Sequence, residues 1–208
     1  MLEKCFTIEN DMRQFDFKNC IAYINQVGRQ KYGPNFKLYI EDKEIIYKLL
    51  IYAIRAESNC AEYGIDLNKG ILLTGPVGCG KTSLMNLLKL FVYPEFDYPV
   101  ISTRHISAEF YADGYQVIHK YGKASKVYCF DDLGIENNIK QFGNQTNCMA
   151  EILLNRYDLH VNQGIVTHAT TNLNAVELEK LYGNRVRSRL RSLFNLLVFD
   201  SKSKDKRS

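Results

Sequence analysis

An α/β fold, with a five-stranded parallel sheet between helices, is what this sequence predicts, on three observations. Short continuous apolar runs recur at Gly70–Thr74, Pro99–Thr103, Val127–Phe130, Ile165–Thr170 and Asn195–Phe199. Such runs are the form taken by strands buried on both faces. Segments with helical spacing lie between them, and that alternation is the pattern of parallel sheets crossed by helices. The third observation is a glycine-rich turn placed directly after the first run.

The elements follow in order. Ile46, Leu49, Leu50, Ala53 and Ile54 set a helical period from Asp42 to about Glu57. Leu84, Leu87, Leu88 and Phe91 make a second stripe, and Met149, Ile152, Leu153 and Tyr157 a third. Asn174 and Glu177 have the spacing of a capping box, opening a helix that Gly183 closes. Residues 1–40 read as a short N-terminal segment, polar, aromatic and irregular up to the turn at Gly33-Pro34. Residues 41–200 form the domain, and 201–208 are a charged tail with the composition of a disordered one.

Composition narrows the function classes. The 208 residues suffice for one well-buried α/β domain. No apolar run approaches the length of a membrane span, and the N-terminus carries no apolar leader, so no membrane association and a cytoplasmic location are expected. Six scattered cysteines with no C-x-x-C pair fit neither a disulfide framework nor a zinc site. A formal charge of +4 permits a nucleic-acid patch without demanding one.

Chemistry enters at Gly75-Pro76-Val77-Gly78-Cys79-Gly80-Lys81-Thr82, a complete G-x-x-x-x-G-K-T phosphate loop followed by Ser83. Its glycines let the backbone curl so that successive N–H groups face phosphate oxygens, and the helix that follows offers its positive end. Lys81 supplies a cation for the β- and γ-phosphates, and Thr82 a hydroxyl ligand for Mg²⁺. The expected ligands are therefore ATP and Mg²⁺. Val127-Tyr128-Cys129-Phe130-Asp131-Asp132 is the second half: a buried strand ending in two carboxylates. Asp131 is expected to hold the metal, directly or through water. Asp132, on the opposite side of the strand, is placed to polarise an attacking water.

With these residues in view the chain resembles an AAA+ ATPase, and within that group the DnaC/DnaI helicase loaders and the IstB-type transposase helpers. The resemblance covers roughly residues 40–200. It rests on the P-loop, on Phe130-Asp131-Asp132-Leu133-Gly134, on Thr170-Thr171-Asn172-Leu173, and on Tyr182 through Leu190. It implies an ATP-hydrolysing switch acting on DNA or a DNA-processing partner in replication or transposition. It implies also that Asn172 is the sensor-1 residue that orients water or reads the γ-phosphate. A plainer role for Asn172 in the turn before the next helix stays open.

The resemblance further implies self-association, with an arginine finger reaching a neighbour's γ-phosphate. Val186 and Leu190 form an apolar stripe flanked by Arg185/Arg189 and Arg187/Arg191. Arg189, then Arg185, is the preferred finger, with a solvated basic face or a DNA-backbone contact as the plainer alternative. No C-terminal helical lid follows the fifth strand, as in the loaders and helpers, which implies slow turnover until subunits assemble. Between Phe110 and Lys126, aromatics alternate with Lys120, Lys123 and Lys126. Tyr115 and Tyr121 beside these lysines could bind single-stranded DNA, or the aromatics could be core. The expected protein partner is a helicase, a transposase or another mobile-element protein. A small P-loop kinase and a non-catalytic nucleotide-binding module are the alternatives.

Overall fold

The computed structural model describes residues 2–9, 12–136, 139–141 and 144–206. A short hairpin, β1 (Phe6–Glu9) and β2 (Met12–Phe15), leads into α1 (Phe17–Tyr32). Helices α2 (Lys43–Ala53) and α3 (Glu57–Glu62) precede β3 (Gly70–Thr74). Then come α4 (Lys81–Leu88), β4 (Val100–Ser102), α5 (Thr103–Asp113), α6 (Tyr115–Gly122) and β5 (Tyr128–Leu133). A second small hairpin, β6 (Ile139–Gln141) and β7 (Asn144–Thr146), is followed by α7 (Cys148–Gln163), β8 (Thr167–Thr171), α8 (Ala175–Leu193) and β9 (Phe194–Val198).

The main sheet has the order β4-β5-β8-β3-β9, and every pairing in it is parallel. All five expected strands are present, and the layering follows from their period of two. Ile71, Leu73, Cys129 and Leu197 face a core closed by α1, α2 and α4. Leu72, Tyr128, Phe130 and Ala169 face the opposite core, closed by α5, α6, α7 and α8. Full burial of each large aliphatic side chain contributes about 1.5–3 kcal/mol, so both layers are needed to hold the sheet.

Two fully buried polar side chains brace β8. His168 accepts the Ile71 N–H at Nδ1 over 3.1 Å. Arg156 of α7 donates to Thr167 Oγ1 at 2.8 Å and to the carbonyls of Ala124 (2.7 Å), Lys126 (2.9 Å) and Val166 (3.0 Å).

Three expectations need correction. The N-terminal segment is not irregular. Asp16 caps α1 through its carboxylate, which accepts from Asn19 N at 2.7 Å, and Cys20 and Ile24 are buried in the first core. The pattern from Asp42 to Glu57 is not one helix, because the chain breaks after Ala53 and restarts as α3. Nor is the tail disordered through residue 206: Lys206 is buried against the phosphate loop. By contrast the capping box at Asn174 is formed, and Gly183 (φ 81°, ψ 163°) breaks α8 where helix closure was expected.

Candidate functional site

β3 delivers the chain at the carboxyl edge of the sheet, where ligands of such folds bind. Residues 75–80 then turn back, and α4 begins at Lys81. Gly78 (φ 87°) and Gly80 (φ 92°) hold left-handed conformations that L-side chains rarely adopt. At Gly78 a Cβ would also lie 2.3 Å from an Asp205 carboxylate oxygen. The loop thus presents backbone, and the N-terminus of α4 adds its partial positive charge to the same place.

Lys81 is almost fully buried, and its ammonium donates to Gly75 O (2.8 Å), Pro76 O (2.9 Å) and Asn172 Oδ1 (2.6 Å). Burial lowers its pKa, and the nearby Cys79, Asp132 and Asp131 oppose that shift. Thr82 Oγ1 lies 2.9 and 3.1 Å from the two carboxylate oxygens of Asp131. Thr170 Oγ1, from β8, donates to Asp131 Oδ1 at 2.7 Å. A buried carboxylate is thereby fixed in orientation by two hydroxyls from different elements.

Asp132 reaches the cleft through irregular backbone rather than through regular strand alternation. Regular alternation puts neighbouring side chains on opposite faces of a strand, but β5 is bulged between Phe130 and Leu133, and Asp132 takes φ 58°. The conformation is pinned by Asp132 N donating to Thr170 Oγ1 (2.9 Å) and by Thr103 Oγ1 donating to Asp132 O (2.8 Å). As a result Asp132 lines the same cleft as Lys81 and Thr82. A left-handed non-glycine residue costs about 1–3 kcal/mol, and such strain gathers at functional sites.

The cleft has a volume of about 620 Å³ and is lined by Val77, Gly78, Gly80, Lys81, Thr82, Ser83, Asp132 and Asn172 among others. Asn172 emerges where β8 ends, since Thr171 Oγ1 donates to Leu133 O (2.7 Å) and accepts from Leu173 N (3.0 Å). Tyr32, Phe36 and Lys206 also line it and were not anticipated. Tyr32 lies in the last turn of α1, and burial raises its pKa while the neighbouring Ser83 opposes that shift. Its ring stands 5.6 Å from that of Phe36.

The arginines are elsewhere. Val186 and Leu190 are buried as the apolar stripe required, and Arg185 is exposed beyond the Gly183 break. Arg189 donates to Arg185 O at 3.2 Å and sits 5.0 Å from the Tyr157 ring centroid, while Arg187 is ion-paired with Glu179. No arginine is found among the described residues that line the cleft. The aromatic-lysine segment is also partly reassigned. Tyr121 is core, and Lys120 is paired with Glu109 at 2.9 Å, so neither is a free platform; Tyr111 and Tyr115 are the exposed rings.

The parallel five-stranded fold is shared with solved structures. The DnaC helicase loader matches with a TM-score of 0.56 at 18% identity, over 78% of this chain and 92% of that one. DnaI matches with a TM-score of 0.51 at 20% identity, over 72% of this chain and 84% of that one. The chain has a DnaC/DnaI-like AAA+ fold.

A putative primosome component from Streptococcus pyogenes serotype M3 shares that AAA+ fold (TM-score 0.57, 15% identity, 90% of this chain and 98% of that one). So does AMPPCP-bound DnaA from Aquifex aeolicus (TM-score 0.53, 15% identity, 80% of this chain), of which the chain spans 49%. No protein-family model matches the chain, and no curated protein matches it in sequence. Among the described residues, no helix is long and apolar enough to cross a membrane.

Proposed function

We propose that this AAA+ chain binds ATP with Mg²⁺ in the P-loop cleft and hydrolyses it, slowly until subunits assemble. The observation that carries the proposal is the convergence of Lys81, Thr82, Asp131 and Asn172 from three separate elements through contacts of 2.6–3.1 Å. The donor set fits the metal: a hydroxyl and a carboxylate are hard oxygen ligands, and Mg²⁺ is commonly held by one or two carboxylates plus phosphates. Thr82 and Asp131 would hold it, and its chemistry would be to neutralise charge on the β- and γ-phosphates.

The chain's own residues divide the remaining work. The backbone of residues 75–80 and the α4 terminus bind the phosphates, and Lys81 turns its ammonium to them from its seat on the loop carbonyls. Asp132 accepts a proton from, or orients, the attacking water, and Asn172 positions that water or the γ-phosphate. Tyr32, lining the cleft beside Ser83, gives it an aromatic wall suited to a base.

For output, we infer a switch acting on DNA or on a DNA-processing protein: a helicase, a transposase or another mobile-element protein. The loader fold supports this. Arg189 or Arg185, outside its own cleft, would complete a neighbour's site in a homo-oligomer. Single-stranded DNA would meet Tyr111 and Tyr115, with Lys123 and Lys126 nearby in sequence, rather than Tyr121. Phosphate release with and without single-stranded DNA, alongside a search for phosphorylated small molecules, tests the proposal. Released phosphate supports an ATPase, a phosphorylated acceptor points to a kinase, and binding without turnover points to an interaction module.

A further inference from the structure

The segment after β9 folds back over the phosphate loop. Phe199 N donates to Thr74 O at 2.8 Å, and a turn at Asp200 is closed by Ser203 N at 2.9 Å. Lys204 then pairs with Glu41 at 3.2 Å, and Ser203 Oγ donates to Asp42 Oδ1 at 3.4 Å. Lys206 makes the closest approach. Its backbone N–H donates to Gly78 O at 2.9 Å, and its ammonium donates to Cys79 O at 2.6 Å. The same ammonium is ion-paired with Asp42 Oδ2 at 2.6 Å, with both side chains almost wholly buried. The Lys206 stem covers Gly80, where a Cβ would lie 2.6 Å from its Cδ.

A buried ion pair is a poor device for stability alone, because desolvation cancels most of the Coulomb gain and an apolar pair often serves as well. What an apolar side chain could not do here is hold a carbonyl. The Lys206 ammonium holds Cys79 O, next to the Gly78 O that its backbone N–H already holds. Peptide planes are rigid and trans, so fixing these oxygens also fixes the N–H groups of Cys79 and Gly80 on the opposite edges. Those planes belong to the loop whose N–H groups cradle phosphate in such sites.

We propose that Lys206, held by Asp42, is a positioning residue of the phosphate loop, fixing the Gly78–Cys79 and Cys79–Gly80 peptides in the orientation that takes nucleotide phosphates. The inference rests on the nucleotide-binding function proposed above. It makes the tail part of the site's architecture: release of the tail from Asp42 loosens the loop and lowers affinity for nucleotide.

The test uses the full chain and two variants: Lys206→Met, which keeps the stem and removes the cation, and Asp42→Asn, which keeps shape and removes the anion. Three quantities are measured: the Kd for a fluorescent Mg·ATP analogue, hydrogen exchange of amides 75–81 without nucleotide, and Tm. Both variants should bind the analogue about tenfold more weakly, the size of one lost charge-assisted hydrogen bond, with faster exchange confined to the loop. A lower Tm with Kd and loop exchange unchanged would overturn the inference and leave the pair as packing. If Lys206→Met does not fold, Asp42→Asn carries the same comparison. Failure of the wild-type protein to bind any nucleotide overturns the parent proposal, whereas full binding by both variants overturns this inference alone.

Discussion

The Lys81 ammonium and the Asn172 side chain, 91 positions apart in the chain, are joined by a 2.6 Å hydrogen bond. The bond ties the start of α4 to the end of β8, so the cation of the phosphate loop and the candidate sensor share one position at the sheet edge. Turnover and binding should therefore separate when Asn172 is removed. Asn172→Ala is expected to keep affinity for Mg·ATP within a few-fold while single-turnover phosphate release falls by about a hundredfold or more. Equal loss of affinity and rate would make Asn172 a binding residue instead.

Asp132 should show the same separation for a different reason. Asp132→Asn keeps the polar shape that its strained backbone supports and removes the carboxylate needed to accept a proton. Binding is expected to persist while turnover falls by about 10²–10⁴. Turnover at the wild-type rate, measured as released phosphate, would remove Asp132 from the mechanism.

A pH dependence follows from His168. Burial first, and then the positive charge of Arg156, pull its pKa down from 6.5 to about 3. The folded protein holds the ring neutral, with Nδ1 accepting from Ile71, whereas the unfolded chain takes up a proton near pH 6.5. More protons are bound on unfolding between those values, so stability rises with pH across about 3 to 6.5 and is lost as pH falls through that window. Urea denaturation at pH 6.5 and 4.5 should show a steeper loss for wild type than for His168→Leu. Parallel loss in both would assign the acid sensitivity to carboxylates.

Much of this was legible in the sequence. Short runs rich in apolar and β-branched residues recur between helical segments, so the five strands are legible even where β8 is Thr167-His168-Ala169-Thr170-Thr171. The P-loop and capping box are local patterns within a few residues of one another. What escaped depends on irregular backbone or distant partners. The bulge at Asp132 and its left-handed backbone are not signalled by strict alternation. Lys206 lies in a stretch whose composition reads as solvated, and its partner Asp42 comes from the other end of the chain. Helix α1 did carry a signal, with Phe17, Cys20, Ile21 and Ile24 at helical spacing between a capping Asp16 and Gly33, but the many polar residues among them hid it.

Assembly is tested by mixing. Arg189→Ala should bind ATP yet lose about 10³–10⁵ in turnover if the arginine serves a neighbour's phosphate. Combined with Asp132→Asn, it should regain activity, because some mixed interfaces pair an intact Asp132 with an intact Arg189. The recovery should rise with total protein concentration. No recovery with Arg189→Ala or Arg185→Ala, at concentrations where wild type self-associates, contradicts a finger acting between subunits.

Titration calorimetry of the wild-type chain and Lys81→Ala with a non-hydrolysable ATP analogue, in Mg²⁺ and in EDTA, tests the nucleotide site itself. Saturable binding by wild type is expected, weakened on removal of Mg²⁺ and weakened at least about tenfold by loss of the Lys81 cation. Absence of binding by the wild-type chain, or binding by Lys81→Ala with unchanged affinity, would contradict the assignment of the cleft as an ATP site.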